Sequence, residues 1–348
     1  DAVVGNPPYG YRGIPSDAEK SYYAHRYVTH EYVFESYLFF TEVGTNLLVP
    51  AGYLGNILPH TFLSAANMSR FRAYLLDNNL LKEVFYLGLN VFEGVLLEAL
   101  ILLLQPDVSR KSIRIRLREA ASNHDVNALG YEIPVSRFGS DTARVFNILL
   151  DEMKYSITQK MTSGSVNLEN LAYVTVGINT GYIRDSLVSR DKRSSKWHRM
   201  LGGSDIARYE VMWQGEWILF DPQFVSAQGD LGRTLPPEYI FRNSKILLQR
   251  TRRGLARKLI PVLDKEGYYN LNRLSNVVLF EGSNYEVGYI LALLASSCLD
   301  TYFNWVFQEY EVKPAHLRQL PIRQIEFSTP VERRVYLRGE AQKLYQQS

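Results

Sequence analysis

Residues 99–104 read Ala-Leu-Ile-Leu-Leu-Leu, six apolar side chains with no polar interruption. A strand with one face in water alternates polar and apolar residues, so an unbroken run predicts a sheet covered on both faces. Three further segments read as strands: Ala2-Val-Val-Gly5, Gly52-Tyr-Leu-Gly-Asn-Ile-Leu58 closed by Pro59, and Lys82-Glu-Val-Phe-Tyr-Leu87. Between them, Tyr32–Val43 and Ser69–Asn79 space their apolar residues helically. Strand alternating with helix predicts an α/β layer architecture. Residues 106 to about 165 are more polar, with a strand-like Ser112–Leu117 and an amphipathic helix predicted around Thr142–Met153. Strand character resumes at Leu171-Ala-Tyr-Val-Thr-Val176, followed by short strands, Gly/Asp/Asn turns and an apolar helix predicted over Tyr289–Phe307. The expected organisation is therefore a first domain over 1–110, a connecting segment over 111–165 and a second domain over 166–348.

The net charge of +3 hides an asymmetry. Residues 1–111 carry 8 Lys+Arg against 11 Asp+Glu, whereas 112–348 carry 31 against 25. The basic half is the one expected to meet a polyanion. One cysteine, Cys298, excludes a disulfide framework and a cysteine zinc site, and its neighbours Ala295-Ser-Ser-Cys-Leu299 read as a buried small residue. No histidine spacing predicts a metal site. The longest apolar run, Val95–Leu104, is broken by Glu98, so no window approaches the ~18 residues of a membrane span. Cytoplasm is the expected compartment. The chain opens at Asp1, inside a strand, which leads us to expect further residues upstream.

Chemistry is concentrated in Asn6-Pro7-Pro8-Tyr9, directly after the opening strand. Ligands of open α/β sheets bind beyond the carboxyl ends of the strands, where this loop falls. An exocyclic adenine amine is a poor nucleophile because its lone pair is delocalised into the ring. The Asn6 side-chain carbonyl and the Pro7 backbone carbonyl can both accept hydrogen bonds from that amine. They would aim its lone pair at an electrophilic methyl group and stabilise the positive charge that develops. Two prolines stiffen the loop and bring no competing N–H. Tyr9 can stack on a base flipped out of the duplex. The plainer alternative is a rigid turn beside an aromatic residue.

The segment Asp1-Ala-Val-Val-Gly-Asn-Pro-Pro-Tyr9 resembles the catalytic motif of N6-adenine DNA methyltransferases, and Gly52–Phe62 is similar to the strand-and-loop motif that follows in that family. Val91-Phe-Glu-Gly94, followed by strand Ala99–Leu104, resembles the motif whose aromatic residue stacks on the other face of the flipped adenine, which makes Phe92 the candidate. Downstream, Val176-Gly-Ile-Asn-Thr-Gly181, Leu201-Gly-Gly-Ser-Asp-Ile206, Lys245-Ile-Leu-Leu-Gln-Arg250 and Val312–Pro321 resemble the specificity domain of Taq-like methyltransferases and of type IIG restriction–modification enzymes related to Eco57I. The resemblance implies part of a Rossmann-like methyltransferase sheet followed by an α/β target-recognition domain. It also implies S-adenosylmethionine as methyl donor and double-stranded DNA as substrate; a monomer is expected. The cofactor loop and the ribose-binding carboxylate of such enzymes are not found in this sequence. They are expected upstream of Asp1, and the chain alone is expected to be inactive.

Two basic groups are the candidates for DNA contact. Arg184, Arg190, Lys192, Arg193, Lys196 and Arg199 lie in a polar stretch with Trp197. Arg233, Arg242, Lys245, Arg250, Arg252, Arg253, Arg257 and Lys258 form the second, with Tyr239 and Phe241 nearby. Such cations neutralise phosphates or read guanine edges; a solvated basic loop is the alternative. Asp141 with Glu152-Met-Lys154 has the crude spacing of nuclease carboxylates but reads as a helix. The rival functions are an RNA or protein-glutamine methyltransferase, which also use Asn-Pro-Pro-Tyr loops, and a DNA-binding specificity module without catalysis of its own.

Overall fold

The computed structural model describes residues 1–347 apart from 11–15, 32–33, 95–96, 108, 119–129, 139–143, 228–234, 251–256, 308–310 and 326–330. It divides into two compact units, Asp1–Tyr155 and Ser156–Ser348.

The first unit runs β1 (Ala2–Gly5), α1 (Asp17–Arg26), α2 (Ser36–Asn46), β2 (Tyr53–Pro59), α3 (Ser69–Asp77), β3 (Leu81–Gly88), β4 (Ala99–Leu104), β5 (Ser112–Leu117) and β6 (Gly130–Pro134), and the boundary between the units falls within α4 (Glu152–Thr162). Its six strands form one mixed sheet in the order β1-β2-β4-β3-β5-β6. β1 and β2 are parallel, as are β3 and β5, while β4 runs against both β2 and β3. The carboxyl ends of β1, β2, β3 and β5 consequently share one rim. That rim carries the loops after Gly5, Pro59 and Gly88.

One face of the sheet builds the core. Leu54 and Leu58 of β2, Leu100, Leu102 and Leu104 of β4, Val84, Ile113, Ile115 and Ile133 pack with Tyr37 and Leu38 of α2 and Phe71 and Leu75 of α3. Burying one such leucine is worth about 1.5–3 kcal/mol. The opposite face is open among the described residues: Val4 is 84% exposed and Ile101 37%. The unbroken apolar strands thus predict cover on two faces, and the described residues supply it on one.

β5 and β6 lie within 111–165, the stretch expected to connect the two domains, yet they complete the first sheet. The helix expected around Thr142–Met153 starts only at Glu152, because the Asp151 carboxylate accepts the Lys154 amide (2.9 Å) and fixes the helix start there. Helix α1 was not expected. It is signalled by a capping box in which Ser16 Oγ accepts the Glu19 amide and the Glu19 carboxylate accepts the Ser16 amide, 3.2 Å each.

In the second unit the strands are β7 (Ser165–Asn167), β8 (Ala172–Val176), β9 (Val188–Ser189), β10 (Trp197–Leu201), β11 (Ile206–Ala207), β12 (Glu210–Val211), β13 (Trp217–Leu219), β14 (Lys245–Gln249), β15 (Pro261–Asp264), β16 (Tyr269–Asn270), β17 (Leu274–Leu279) and β18 (Pro321–Arg323). They assort into four-stranded sheets β15-β14-β17-β8 and β16-β10-β13-β9, with pairs β11-β12 and β18-β7. Short helices α5 (Arg184–Leu187), α6 (Pro222–Ala227) and α7 (Tyr239–Arg242) punctuate them, and α8 (Val287–Ala295), α9 (Ser297–Val306), α10 (Pro314–Arg318) and α11 (Val331–Gln347) follow. Ile290, Leu291 and Leu294 of α8 and Phe303 of α9 pack on Val174, Ile246, Leu248 and Val277 of the first of these sheets.

The single helix expected over Tyr289–Phe307 is two. Ser296 is extended (φ −71°, ψ 147°) and its hydroxyl accepts the Leu299 amide at 3.1 Å, capping α9. Cys298 is exposed, contrary to expectation, because α9 turns Leu299, Tyr302 and Phe303 inward instead.

Candidate active site

Gly5 closes β1 against β2 so tightly that a Cβ there would sit 2.8 Å from Asn56 Oδ1. Beyond it Asn6 is exposed, with no hydrogen-bond partner for its amide among the described residues, while Pro7 is buried and Pro8 exposed. The Tyr9 hydroxyl donates to the Ile57 carbonyl on β2 at 2.9 Å, and its ring meets Tyr37 of α2 edge-on at 6.2 Å. Burial raises the Tyr9 pKa, so the phenol keeps the proton that it donates. At Gly10 the backbone turns through φ +81°, a left-handed conformation that glycine adopts freely. The Gly10 amide donates to Glu35 Oε2 (3.0 Å), and its carbonyl accepts from Ser36 Oγ (3.3 Å). Burial pushes the Glu35 carboxyl above its ordinary pKa, outweighing the opposing effect of the Gly10 hydrogen bond.

Phe92 lies in the β3–β4 loop, on the same rim, and its ring touches the Tyr9 ring at 6.2 Å with a 68° angle between planes. A base stacked on both rings would need them parallel and roughly 7 Å apart, two stacking steps of about 3.4 Å. The two rings are brought together, but as an edge contact and not as an open sandwich. The base of that loop is held by Glu98, whose carbonyl accepts the His60 amide (3.0 Å) and whose carboxylate takes the Tyr86 hydroxyl (2.5 Å) and lies 3.5 Å from His60 Nε2. Sequence reasoning missed Glu35, Ser36, Tyr37, His60 and Glu98. The proximity of Glu98 to the Phe92 motif was a usable signal; the role of Glu35 was not signalled by spacing.

A nucleoside cofactor would need a free carboxylate for its ribose near the Asn6 loop. Glu35 is committed to Gly10, and Glu98 to Tyr86 and His60. Those two carboxylates are therefore already engaged. The Asn6–Tyr9 loop itself presents an exposed amide acceptor beside an anchored aromatic ring, suited to a hydrogen-bond donor carried on a planar ring.

The two basic groups behave differently. Arg190, Lys192, Arg193 and Lys196 are exposed on the loop between β9 and β10. The Lys192 ammonium lies 5.3 Å from the Trp217 ring centre and the Arg193 guanidinium 5.1 Å from that of Trp197, seats that orient a cation without neutralising it. Lys196 bonds Asp221 (2.5 Å), Arg184 lies 3.8 Å from Glu216, and Arg190 has no acidic partner among the described residues. In the other group Arg242 bonds Glu238 (2.7 Å), and Arg250 pairs with Glu311 (2.8 Å) and donates to the Asn272 carbonyl (2.7 Å). Arg257 donates to the Ala295 carbonyl. Lys245 is wholly buried against Asp264, so its expected DNA contact is corrected: β14 starts in the core, and no phosphate reaches that ammonium. Arg252 and Arg253 lie outside the described residues.

Among the described residues no helix is long and apolar enough to cross a membrane. Residues 1–92 match the family model of the Eco57I restriction-modification methylase, and residues 198–322 match that of the TaqI-like C-terminal specificity domain. A putative type II restriction enzyme and methyltransferase of Methanocaldococcus jannaschii is 27% identical over 225 residues, covering 61% of this chain. The chain spans only 18% of that relative's length. Among solved structures, the type IIL restriction-modification enzyme MmeI in complex with DNA is similar at a TM-score of 0.62 and 10% identity, over 99% of this chain and 48% of that one. A DrdV–DNA complex is similar at 0.54 and 9% identity, over 99% and 44%. At these identities the likeness concerns the fold.

Proposed function

We propose, from the premise that this chain joins a segment of an Eco57I-type restriction-modification methylase to a TaqI-like specificity domain, that the protein methylates the N6 amine of adenine at a defined site in duplex DNA. The observation that carries this reading is the exposed Asn6 amide, without a partner among the described residues, at the carboxyl end of β1 on a loop fixed at Tyr9 and Gly10. The target adenine is flipped out of the duplex, since its amine is otherwise engaged in pairing. Asn6 Oδ1 and the Pro7 carbonyl accept the two amine hydrogens and turn the lone pair outward. As the amine attacks, these acceptors stabilise the growing positive charge. Water takes the proton, which the methylated amine releases readily, so no strong side-chain base is required. Tyr9 stacks on the base, held in orientation by its bond to Ile57. Phe92 gives up its edge contact with Tyr9 to stack on the other face. S-adenosylmethionine is the proposed donor; the residues described above act on the acceptor base alone.

DNA contact is assigned to Arg184, Arg190, Lys192, Arg193 and Lys196. Support comes from their exposure and the ring-seated cations, and from two solved neighbours whose structures are complexes with DNA. A second reading, a DNA-binding specificity module without catalysis of its own, is supported by the match of residues 198–322 to the TaqI-like specificity domain. The test expresses the full-length gene in a methylation-free host beside an Asn6→Ala version and maps modified adenines. Modification at one short sequence, lost in the variant, establishes the function. Unmodified DNA from a folded, well-expressed protein refutes it and leaves the binding module or an RNA or protein substrate.

A further inference from the structure

We propose that Glu35, at the start of α2, is a positioning residue that holds the Asn6–Gly10 loop in its working geometry. This rests on the reading of Asn6 as the acceptor for the target amine. Glu35 occupies the N-cap position of α2 but makes no capping bond to the helix. Ser, Thr, Asp and Asn are the usual caps, because their short side chains reach the helix's own free amides. The longer Glu35 side chain reaches away from the helix to the Gly10 amide (3.0 Å), while the next residue, Ser36, donates to the Gly10 carbonyl (3.3 Å). Both polar backbone groups at the far end of the loop are therefore held by the first two residues flanking one helix.

The same helix reaches the near end. Tyr37 meets the Tyr9 ring, and Thr41 Oγ1 accepts from Asn56 Nδ2 (3.2 Å), whose Oδ1 closes against Gly5. The four residues Asn6–Tyr9 are thus bracketed at both ends by α2. A half-buried carboxylate that forgoes its cap and keeps a raised pKa is poorly explained by helix stability. Placement of the reacting amine explains it, since a displacement near 1 Å from remote changes costs rates by about 10²-fold.

The experiment compares wild type, Glu35→Ala, Glu35→Gln and Ser36→Ala in the full-length protein, with thermal melts confirming that each folds. Two readouts are used. Glu35→Ala is expected to speed hydrogen exchange at the Gly10 amide and to lower kcat for adenine methylation by about 10- to 100-fold, with KM for DNA within roughly twofold. Glu35→Gln retains an acceptor oxygen and is expected to restore both. Ser36→Ala, which removes only a hydroxyl, is expected to lower kcat by a smaller factor and serves if Glu35→Ala misfolds. Unchanged Gly10 exchange in Glu35→Ala, or a kcat equal to wild type, overturns the proposal while leaving the reading of Asn6 intact. A wild-type protein that methylates no adenine overturns that reading, and the positioning role falls with it.

Discussion

A cation with no water around it has to be part of the fold. Lys245 is 0% exposed, with its ammonium on the Phe241 carbonyl and the Asp264 carboxylate. Asp264 in turn accepts the amides of Glu266, Gly267 and Tyr268, so the pair organises the turn between β15 and β16. Removing one partner strands the other charge, and Lys245→Ala should cost about 3–5 kcal/mol of stability. Urea unfolding measures this; a loss below 1 kcal/mol would mean that water reaches Asp264. Glu35 makes the opposite case. Its folded pKa is raised, so the native state binds the proton more tightly than the unfolded chain. That contribution to stability is present below the unfolded pKa of 4.5 and is lost as pH rises through the folded value. Glu35→Gln should therefore melt higher than wild type at pH 7, with the gain vanishing below pH 4. An equal melting temperature at both pH values would contradict this. Neither residue could be read from the sequence. The Asn6–Tyr9 loop could be singled out because its proposed chemistry is local to four consecutive positions, whereas the contacts of Lys245 and Glu35 depend on partners 19 and 25 positions away.

Among the elements, the strands of the first unit were the most legible, since Ala99–Leu104 and Ser112–Leu117 declare themselves by composition and match their predicted bounds. Helix ends were less so, because a serine or an aspartate decides them by one hydrogen bond. Ser296 separates α8 from α9 and caps the latter, and Ser296→Ala should cost about 1 kcal/mol by loss of the cap. Chemical denaturation of the variant measures it, and no change would show that chain geometry alone makes the break. Gly177 is a harder constraint. A Cβ there would fall 2.2 Å from the Asn270 carbonyl oxygen, a backbone atom that cannot turn aside. Strand β8 passes β16 at this point, with Ile178 bridging Leu271. In the Leu201–Ile206 motif the tight position is Gly203, where a Cβ would fall 3.0 Å from Arg273 Cβ, while Gly202 gives its amide to buried Asp205 at 2.7 Å.

At the scale of the whole molecule, the excess of Lys and Arg beyond residue 111 was legible from the start, but charge counting cannot separate cations that face solvent from cations spent on the fold. Arg250 and Lys245 are spent; Arg190, Lys192 and Arg193 remain available. Each phosphate neutralised by a cation releases bound counterions, so binding weakens with salt in proportion to the number of such contacts, at a slope of about −0.9 per phosphate. Replacing Arg190, Lys192 and Arg193 singly by Ala should therefore weaken DNA binding and flatten the slope of log K against log salt by about 1 each. Arg250→Ala should leave the slope as it is and lower the melting temperature, because it frees Glu311 and the Asn272 carbonyl within the fold. Fluorescence anisotropy across a salt series, with thermal melts of the same proteins, separates the two effects. If the slope follows Arg250 and ignores the three loop cations, the polyanion is met by the second basic group, and the ring-seated cations of the β9–β10 loop serve only to close that loop over Trp197 and Trp217.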